Sequence, residues 1–472
     1  MSATRGHPHS PEAQTIMSAI KPIRPDIIAR FEGQRAPRYT SYPTAPHFTH
    51  TFSDADYQTL LTGLDPDSSL SLYLHVPFCQ TMCWYCGCHT RIVASYSPIE
   101  AYLHALEAEI RMMAAALPQR MNVRHIHWGG GTPTIMAPDA FRHLMSILRD
   151  CFELRSDAEV AVEIDPRRIS EEMIAALGES GVTRASLGVQ TFDPVVQKAI
   201  NRIQSFEQTA RATEGLRATG IDAINFDLIY GLPYQTAASC EDTVARALDL
   251  KPDQFSVFGY AHVPWMKKHQ RMIDWQSLPN PNQRLAQFAS IADRLVDAKY
   301  RRIGLDHFAR PDDPLVRCLD AGTLRRNFQG YTSDQCSTLL GFGASAVGSL
   351  PQAYVQSTTQ VGEYRRRIEA GSFAIQRGRR LTAEDRLRRD VIERIMCDFR
   401  VDLEAVAGKH HVDVDYFAEE LVRLWALEHD GIVRVDGTVV SLEQAYWPLA
   451  RTVASVFDAY LQPEEQRHAA AI

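Results

Sequence analysis

From Leu70 onward, short apolar runs alternate with longer amphipathic stretches. Runs of strand length fall at 70–76, 123–128, 159–164, 184–189, 222–229, 254–259 and 301–305. Between them, 98–116, 138–151, 169–180, 206–219, 236–248 and 282–299 space their apolar residues as helices do. Repeated strand-then-helix units predict an α/β fold: a parallel sheet with right-handed crossovers, either doubly wound or bent into a barrel. Polar signatures come directly after the strands. A cysteine-rich loop follows the first, Gly129-Gly130-Gly131-Thr132 the second, and Glu163-Ile164-Asp165 closes the third. Gln190 follows the fourth, Asp227 ends the fifth, and Ala261-His262 follow the sixth. Parallel α/β folds bind ligands at the carboxyl ends of their strands. The pattern therefore predicts one large active site on top of a partial parallel barrel.

The flanks obey other rules. Residues 1–16 read as a leader, 19–31 as a helix, and Arg35 to Thr44 as an extended, proline-punctuated arm. After Phe308 the alternation stops. Residues 313–350 read as irregular, and Arg365 to Arg367 with Arg377 to Arg380 form a basic stretch. From Thr382 the chain turns helical, then offers a hairpin across Asp436-Gly437. Helices followed by a hairpin resemble a winged helix, but 401–442 is not basic, which points to a lid or packing domain. The expected organisation is an N-terminal arm and helix over 1–50, a catalytic barrel over 51–350 and a mainly helical, winged-helix-like domain over 351–472.

Composition narrows the function. At 472 residues, 45% apolar and 23% charged, the chain is ordinary for a soluble protein. No segment has eighteen consecutive apolar residues and Met1 to Gln14 has no apolar core, so neither membrane nor secretion is expected, and the cytoplasm is. A formal net charge of −7 argues against nucleic acid as a partner and means that an anionic substrate needs a local basic patch. Cys151, Cys240, Cys318, Cys336 and Cys397 are scattered singly, which argues against a disulfide framework.

Cys79, Cys83, Cys86 and Cys88 crowd one loop. Iron–sulfur clusters and zinc are the ordinary occupants of such a loop. Zinc usually joins two separated cysteine couples, whereas C-x3-C-x2-C in one loop fits three irons of a cubane with the fourth open to a small molecule. Zinc and inert buried thiols stay open as alternatives. The run Gly129 to Thr132 lacks the Gly-Lys-Ser/Thr of a phosphate loop, leaving a tight turn or a close backbone approach to a ligand. Glu163 and Asp227 could accept from hydroxyl or amino groups, or act as an acid–base pair. Arg202 and Gln190 suit a carboxylate.

The C-x3-C-x2-C loop resembles the signature of radical S-adenosylmethionine (SAM) enzymes. The longer strings YLHVPFC…CWYCGCH and RYTSYPTA resemble their branch of oxygen-independent coproporphyrinogen III oxidases. That resemblance implies a 4Fe–4S cluster on Cys79, Cys83 and Cys86, with Cys88 outside the ligand set. It implies two SAM molecules, the first touching Tyr73, Gly130, Glu163 and Val347. The second would touch Tyr85, Gly131, Thr132, Gln190, Arg202, Asp227 and Ala261. Tyr73, Glu163 and Arg202 stand as the catalytic residues. Tyr85 and Val347 depart conservatively from the family's usual phenylalanine and isoleucine. The implied reaction turns two propionates of coproporphyrinogen III into vinyl groups, with electrons from a flavodoxin- or ferredoxin-type donor, in a monomer. Arg35, Arg38 and Arg365 to Arg367 could meet the substrate's carboxylates, though a solvated charged face explains Arg365 to Arg367 at least as well, and Tyr39 and Tyr42 could lie against its pyrroles, making the arm part of the site rather than of the fold. The alternatives are a haem-binding chaperone, a methyl-transferring or cyclopropanating paralogue, and a zinc-dependent DNA-binding regulator.

Overall fold

The structure is a computed structural model that describes residues 23–31 and 36–461. The first six expected strands form β1 (Leu70–Val76), β2 (Asn122–Gly130), β3 (Glu153–Ile164), β4 (Arg184–Gln190), β5 (Ala223–Tyr230) and β6 (Gln254–Gly259). They lie side by side in chain order, each parallel to the next. Their runs are apolar because side chains such as Leu72, Leu74, Trp128, Val162, Leu187 and Phe226 are buried beneath the crossover helices. Helix Ser97–Ala116 supplies Tyr102, Leu106, Ile110 and Met113 at helical spacing to that layer. Ser205, Thr236 and Asn280 start their helices with reciprocal capping boxes, which fixes where each crossover turns back to the sheet.

Beyond these six, the sheet departs from expectation. β7 (Arg301–Ile303) reaches it only through β8 (His307–Ala309), which runs antiparallel to both β6 and β7. The stretch expected to be irregular contains β9 (Thr338–Phe342), parallel to β1 on its outer side. Its Leu340 and Phe342 are fully buried, and no crossover helix marks it in the sequence. Antiparallel β10 (Val347–Leu350), β11 (Ala353–Ser357) and β12 (Ile375–Arg380) complete twelve strands. The boundary expected at residue 350 thus cuts through the sheet, which ends at Arg380. Arg377 to Arg380 belong to the last strand of the order, whose outer edge is met by Thr49 through two backbone hydrogen bonds with Gly378 at 2.8 and 2.9 Å. Arg365, Arg366 and Arg367 lie on helix Val361–Glu369 and pair with Glu369 and Glu363. They form a solvated face and do not line the cavities described below.

The parallel run curls. Ser71, Glu159, Asp227 and Ser256, from four different strands, face a single interior space of 180 Å³. The sheet order ends at β12 and β7 without joining them, so the architecture is a partial barrel.

Past Thr382, helices Ala383–Asp398, Leu403–Lys409 and Ala418–His429 pack with a three-stranded sheet. Its hairpin pairs Val433 with Leu442 and turns at Gly437, whose φ is 60°. This core also takes in the N-terminus. Helix Pro25–Phe31 buries Ile27, Ile28 and Phe31 among Val391, Ile395 and Leu424. The earlier part of the expected helix, the leader and Arg35 lie outside the described residues. Tyr39 and Tyr42, expected against the substrate, are buried in the same core instead. The Tyr39 hydroxyl donates to Asp458 at 3.0 Å, and that of Tyr42 accepts from the Ala459 amide at 2.9 Å. Each ring has an apolar bed and a partner for its polar tip, which is how tyrosine is retained in a core.

Candidate active site

At the end of β1 the chain turns at Pro77 into the cysteine loop. The amides of Gly131 and Thr132 donate back to Val76 and Phe78, both at 2.9 Å, locking this loop to the end of β2. That approach explains the glycine run. A Cβ on Gly131 would stand 2.6 Å from the Phe78 carbonyl oxygen, and Gly130 has a φ of 117°. The Trp84 amide donates to Ile200 at 3.0 Å. From the solvent side, His269 Nε2 lies 2.7 Å from the Cys86 carbonyl oxygen. Lys267 Nζ donates to that of Cys88 at 3.0 Å, and Gln270 to that of Tyr85 at 3.1 Å.

Cys79, Cys83 and Cys86 line one cavity of 580 Å³. The Cys79 thiol lies 3.3 Å from the Thr132 hydroxyl, and Cys83 accepts from Arg202 at 3.5 Å and Arg167 at 3.7 Å. Among the described residues, no three His, Cys, Asp or Glu side chains converge as ligands of one metal ion. Three thiols around a common space, each free to take a different iron, suit a cluster better than mononuclear zinc. The same wall carries Tyr85, Gly130, Gly131, Thr132, Glu163, Gln190, Arg202, Asp227 and Ala261, so nine of the eleven expected SAM contacts converge here. Tyr73 and Val347 do not line this wall. The Tyr73 hydroxyl lies 2.9 Å from His75 Nδ1, and its ring stacks on His127. Val347 packs with Phe48, Tyr354 and Leu381.

Several of these groups are held under strain or are short of partners. Gln190 has a φ of 67°, a conformation that costs energy outside glycine. Glu163 accepts from the Gly130 amide at 3.1 Å while His127 Nε2 lies 3.1 Å from its other oxygen. Asp227 accepts from Ser186 at 3.0 Å and Asn225 at 2.8 Å. Burial, and then the neighbouring Glu163, push its carboxyl up to about 6. Arg202 donates to the Gly188 carbonyl at 2.6 Å and pairs with Asp165 at 3.4 Å, yet its buried Nε has no hydrogen-bond partner. An orphaned guanidinium nitrogen in the wall fits an anionic ligand group.

A second cavity of 690 Å³ adjoins the first, sharing Arg38, Cys88, Phe258, Gly259, Tyr260, Ala261 and Val263 as wall. It is lined by five arginines, Arg38, Arg284, Arg302, Arg326 and Arg451, and one acidic residue, Asp306. The Arg326 side chain is only 6% exposed. Its nearest carboxylate oxygen, on Asp306, is 3.8 Å away, and its Nε and one terminal nitrogen lack hydrogen-bond partners. Burial would raise the Asp306 carboxyl, but Arg326, His307 and Arg38 outweigh it and hold it at about 2. Burial, then the charge of Arg38, bring Arg451 down to about 10. Of this lining, the sequence singled out Arg38 alone for the substrate. The others are isolated arginines, and no local pattern distinguishes them from surface charges.

Residues 73–247 match the family model described as the radical SAM superfamily. The oxygen-independent coproporphyrinogen III oxidase of Bradyrhizobium diazoefficiens is 54% identical over 450 residues, covering 95% of this chain and all of that one. The enzyme of the same name from Salmonella typhimurium is 40% identical, with 90% and 93% covered. Among solved structures, the coproporphyrinogen III oxidase (HemN) of Escherichia coli, described as a radical SAM enzyme, superposes with a TM-score of 0.86. It shares 38% identity and covers 91% of this chain and all of its own. A parallel barrel with three cysteines in the loop after its first strand thus defines a radical SAM protein. Within that class, the chain belongs to the family of oxygen-independent coproporphyrinogen III oxidases.

Proposed function

We propose that the chain converts coproporphyrinogen III into protoporphyrinogen IX by oxidative decarboxylation of two propionate side chains. The observation that carries this reading is the adjacency of the two cavities: the cysteine cavity shares wall residues with one lined by five arginines. When bound, a 4Fe–4S cluster and SAM supply a 5′-deoxyadenosyl radical able to take hydrogen from the β-carbon of a propionate. The side chain then loses carbon dioxide, gives one electron to an acceptor from outside the chain and becomes a vinyl group. Cys79, Cys83 and Cys86 hold the cluster. Glu163 and Gly130 serve the first SAM, and Arg202, Gln190 and Asp227 a second.

The chain's own part is binding and exclusion. Cations gathered around one cavity repel one another and are relieved by anions, so the arginines receive carboxylates. Asp306 sits among them as the one carboxylate of the lining, which suits the inward-facing pyrrole N–H groups of a porphyrinogen. Phe258, Phe328 and Tyr260 close the walls with apolar surface. One chain lines both cavities, so a monomer suffices. Its nine free cysteines fit a reducing compartment such as the cytoplasm. The electron comes from a small protein donor of the flavodoxin or ferredoxin kind. The relatives named above are oxidases, and the chaperone alternative is not favoured.

Anaerobic incubation with coproporphyrinogen III, SAM and dithionite tests the reading. It should yield two equivalents of carbon dioxide and, after oxidation, protoporphyrin. Protein that carries its cluster and cleaves SAM yet leaves the propionates intact would overturn it.

A further inference from the structure

The cysteine loop lies close beneath one patch of surface, and that patch is unusual. A small core of Val196, Ile200, Leu232, Tyr260 and Ile273 packs against Trp84 and Tyr85 of the loop. Directly outside it, large apolar side chains are left in solvent: Val195, Ile203, Tyr234, Met272 and Trp275, the last 69% exposed. Each is a near neighbour in sequence of a buried member of that core, and the Tyr234 amide, donating to Ser277 at 2.9 Å, ties two of their segments together. Exposed lysines and arginines rim them: Lys198, Lys268, Arg271 and Arg168, whose guanidinium donates to Thr81 at 3.2 Å. The nearby carboxylates Asp193 and Asp274 are turned to their own helix-start amides at 2.8 and 3.0 Å.

We propose that this face is the docking surface for an acidic one-electron donor protein. The proposal rests on the reading above that SAM is cleaved reductively, which requires an electron from outside the chain. Three observations support it. An apolar centre inside a charged rim is the anatomy of a protein interface rather than of ordinary surface. The rim is cationic on a chain of net charge −7, so a local field reverses the global one and favours an acidic partner. The same stretch, through Lys267, His269 and Gln270, makes the three hydrogen bonds to the carbonyls of Cys88, Cys86 and Tyr85. A donor seated here is separated from a cluster ligand by little more than one imidazole. One electron would leave the donor, a flavin hydroquinone becoming the semiquinone, and enter the oxidised cluster.

The test uses the whole cluster-loaded protein, with purified flavodoxin and then an acidic ferredoxin as probes. One variant carries Lys268→Glu with Arg271→Glu, and a second Met272→Ala with Trp275→Ala. Binding is measured by calorimetry at low and high salt, and product formation with either the protein donor or dithionite. The charge reversal should weaken binding roughly tenfold and remove its salt dependence. Donor-driven turnover should fall in parallel while dithionite-driven turnover stays unchanged. The apolar variant should weaken binding at both salt concentrations. Unchanged donor binding, a parallel fall with dithionite, or loss of a dimer of this chain in the apolar variant would each overturn the proposal. So would failure of both probes to bind the native protein. If the native protein does not decarboxylate even with dithionite, the functional reading fails, while the binding measurement still decides the surface.

Discussion

At the cluster end of the site, Cys79, Cys83 and Cys86 come from one loop, and most of the remaining wall comes from the ends of consecutive parallel strands. At the arginine end, five cations arrive from an N-terminal arm, a crossover helix, two short strands and the C-terminal domain. The first end is local in sequence and regular in structure. The second is gathered from nearly the whole length of the chain. Chemistry is placed by the scaffold that nearly every βα unit repeats, whereas recognition depends on how two domains and a terminus meet. Damage should therefore be all-or-none at the cluster end and graded at the other.

The sharpest break of this contrast comes from the loop. Cys79→Ser, Cys83→Ser and Cys86→Ser should each lose the iron and sulfide of anaerobically prepared protein and all SAM cleavage. Cys88→Ser should keep its iron. Equal iron loss in the Cys88 variant would place it among the ligands. At the arginine end, Arg38→Ala removes one carboxylate contact worth about 1.5–3 kcal/mol, which corresponds to a rise in KM of roughly 10- to 150-fold. Slow SAM cleavage without substrate should persist in that variant. A native KM would show that the cavity does not hold the propionates.

A third measurement separates the arm's two roles. Tyr42 is 1% exposed, so Tyr42→Ala should cost about 3–5 kcal/mol of stability, read as a lowered thermal midpoint. Tyr39→Phe, which takes a buried hydroxyl from Asp458, should cost about 1–1.5 kcal/mol. Arg38→Ala should leave the midpoint unchanged. The smallest effect is one of pH. Asp227 holds its proton to about 6 in the folded state, against an ordinary value of 3.8. Over that window the folded protein binds more protons than the unfolded one, so this group's contribution to stability falls as pH rises from about 4 to about 6. Asp227→Asn should flatten that part of the midpoint-against-pH curve.

The contrast also explains what could be read from the residues. The barrel strands announce themselves because each is an apolar run followed by an amphipathic helix. β9 does not, since a short buried strand without a crossover looks like any apolar loop. The cysteine loop and the residues after each strand were legible because spacing and strand position already specify them. The arm was half legible. Its RYTSYPTA string marks it as special, but nothing in it reveals that Arg38 faces a cavity while Tyr39, the next residue, is buried in a core built from residues near 458. The other four arginines acquire meaning only when folding places them around Asp306.

That junction of Arg38 and Tyr39 has a consequence for how the protein is made. The arm leaves the ribosome well before the Asp458 that receives Tyr39, which lies 419 positions further along the chain. During translation the barrel strands and the cysteine loop can assemble while the arm still has nowhere to dock. Long-range closure of this kind comes late because its entropic cost must be met before its contacts form. The nascent enzyme should thus be able to receive its iron before it can grip its substrate. The order of synthesis then keeps a half-built radical site from engaging the tetrapyrrole.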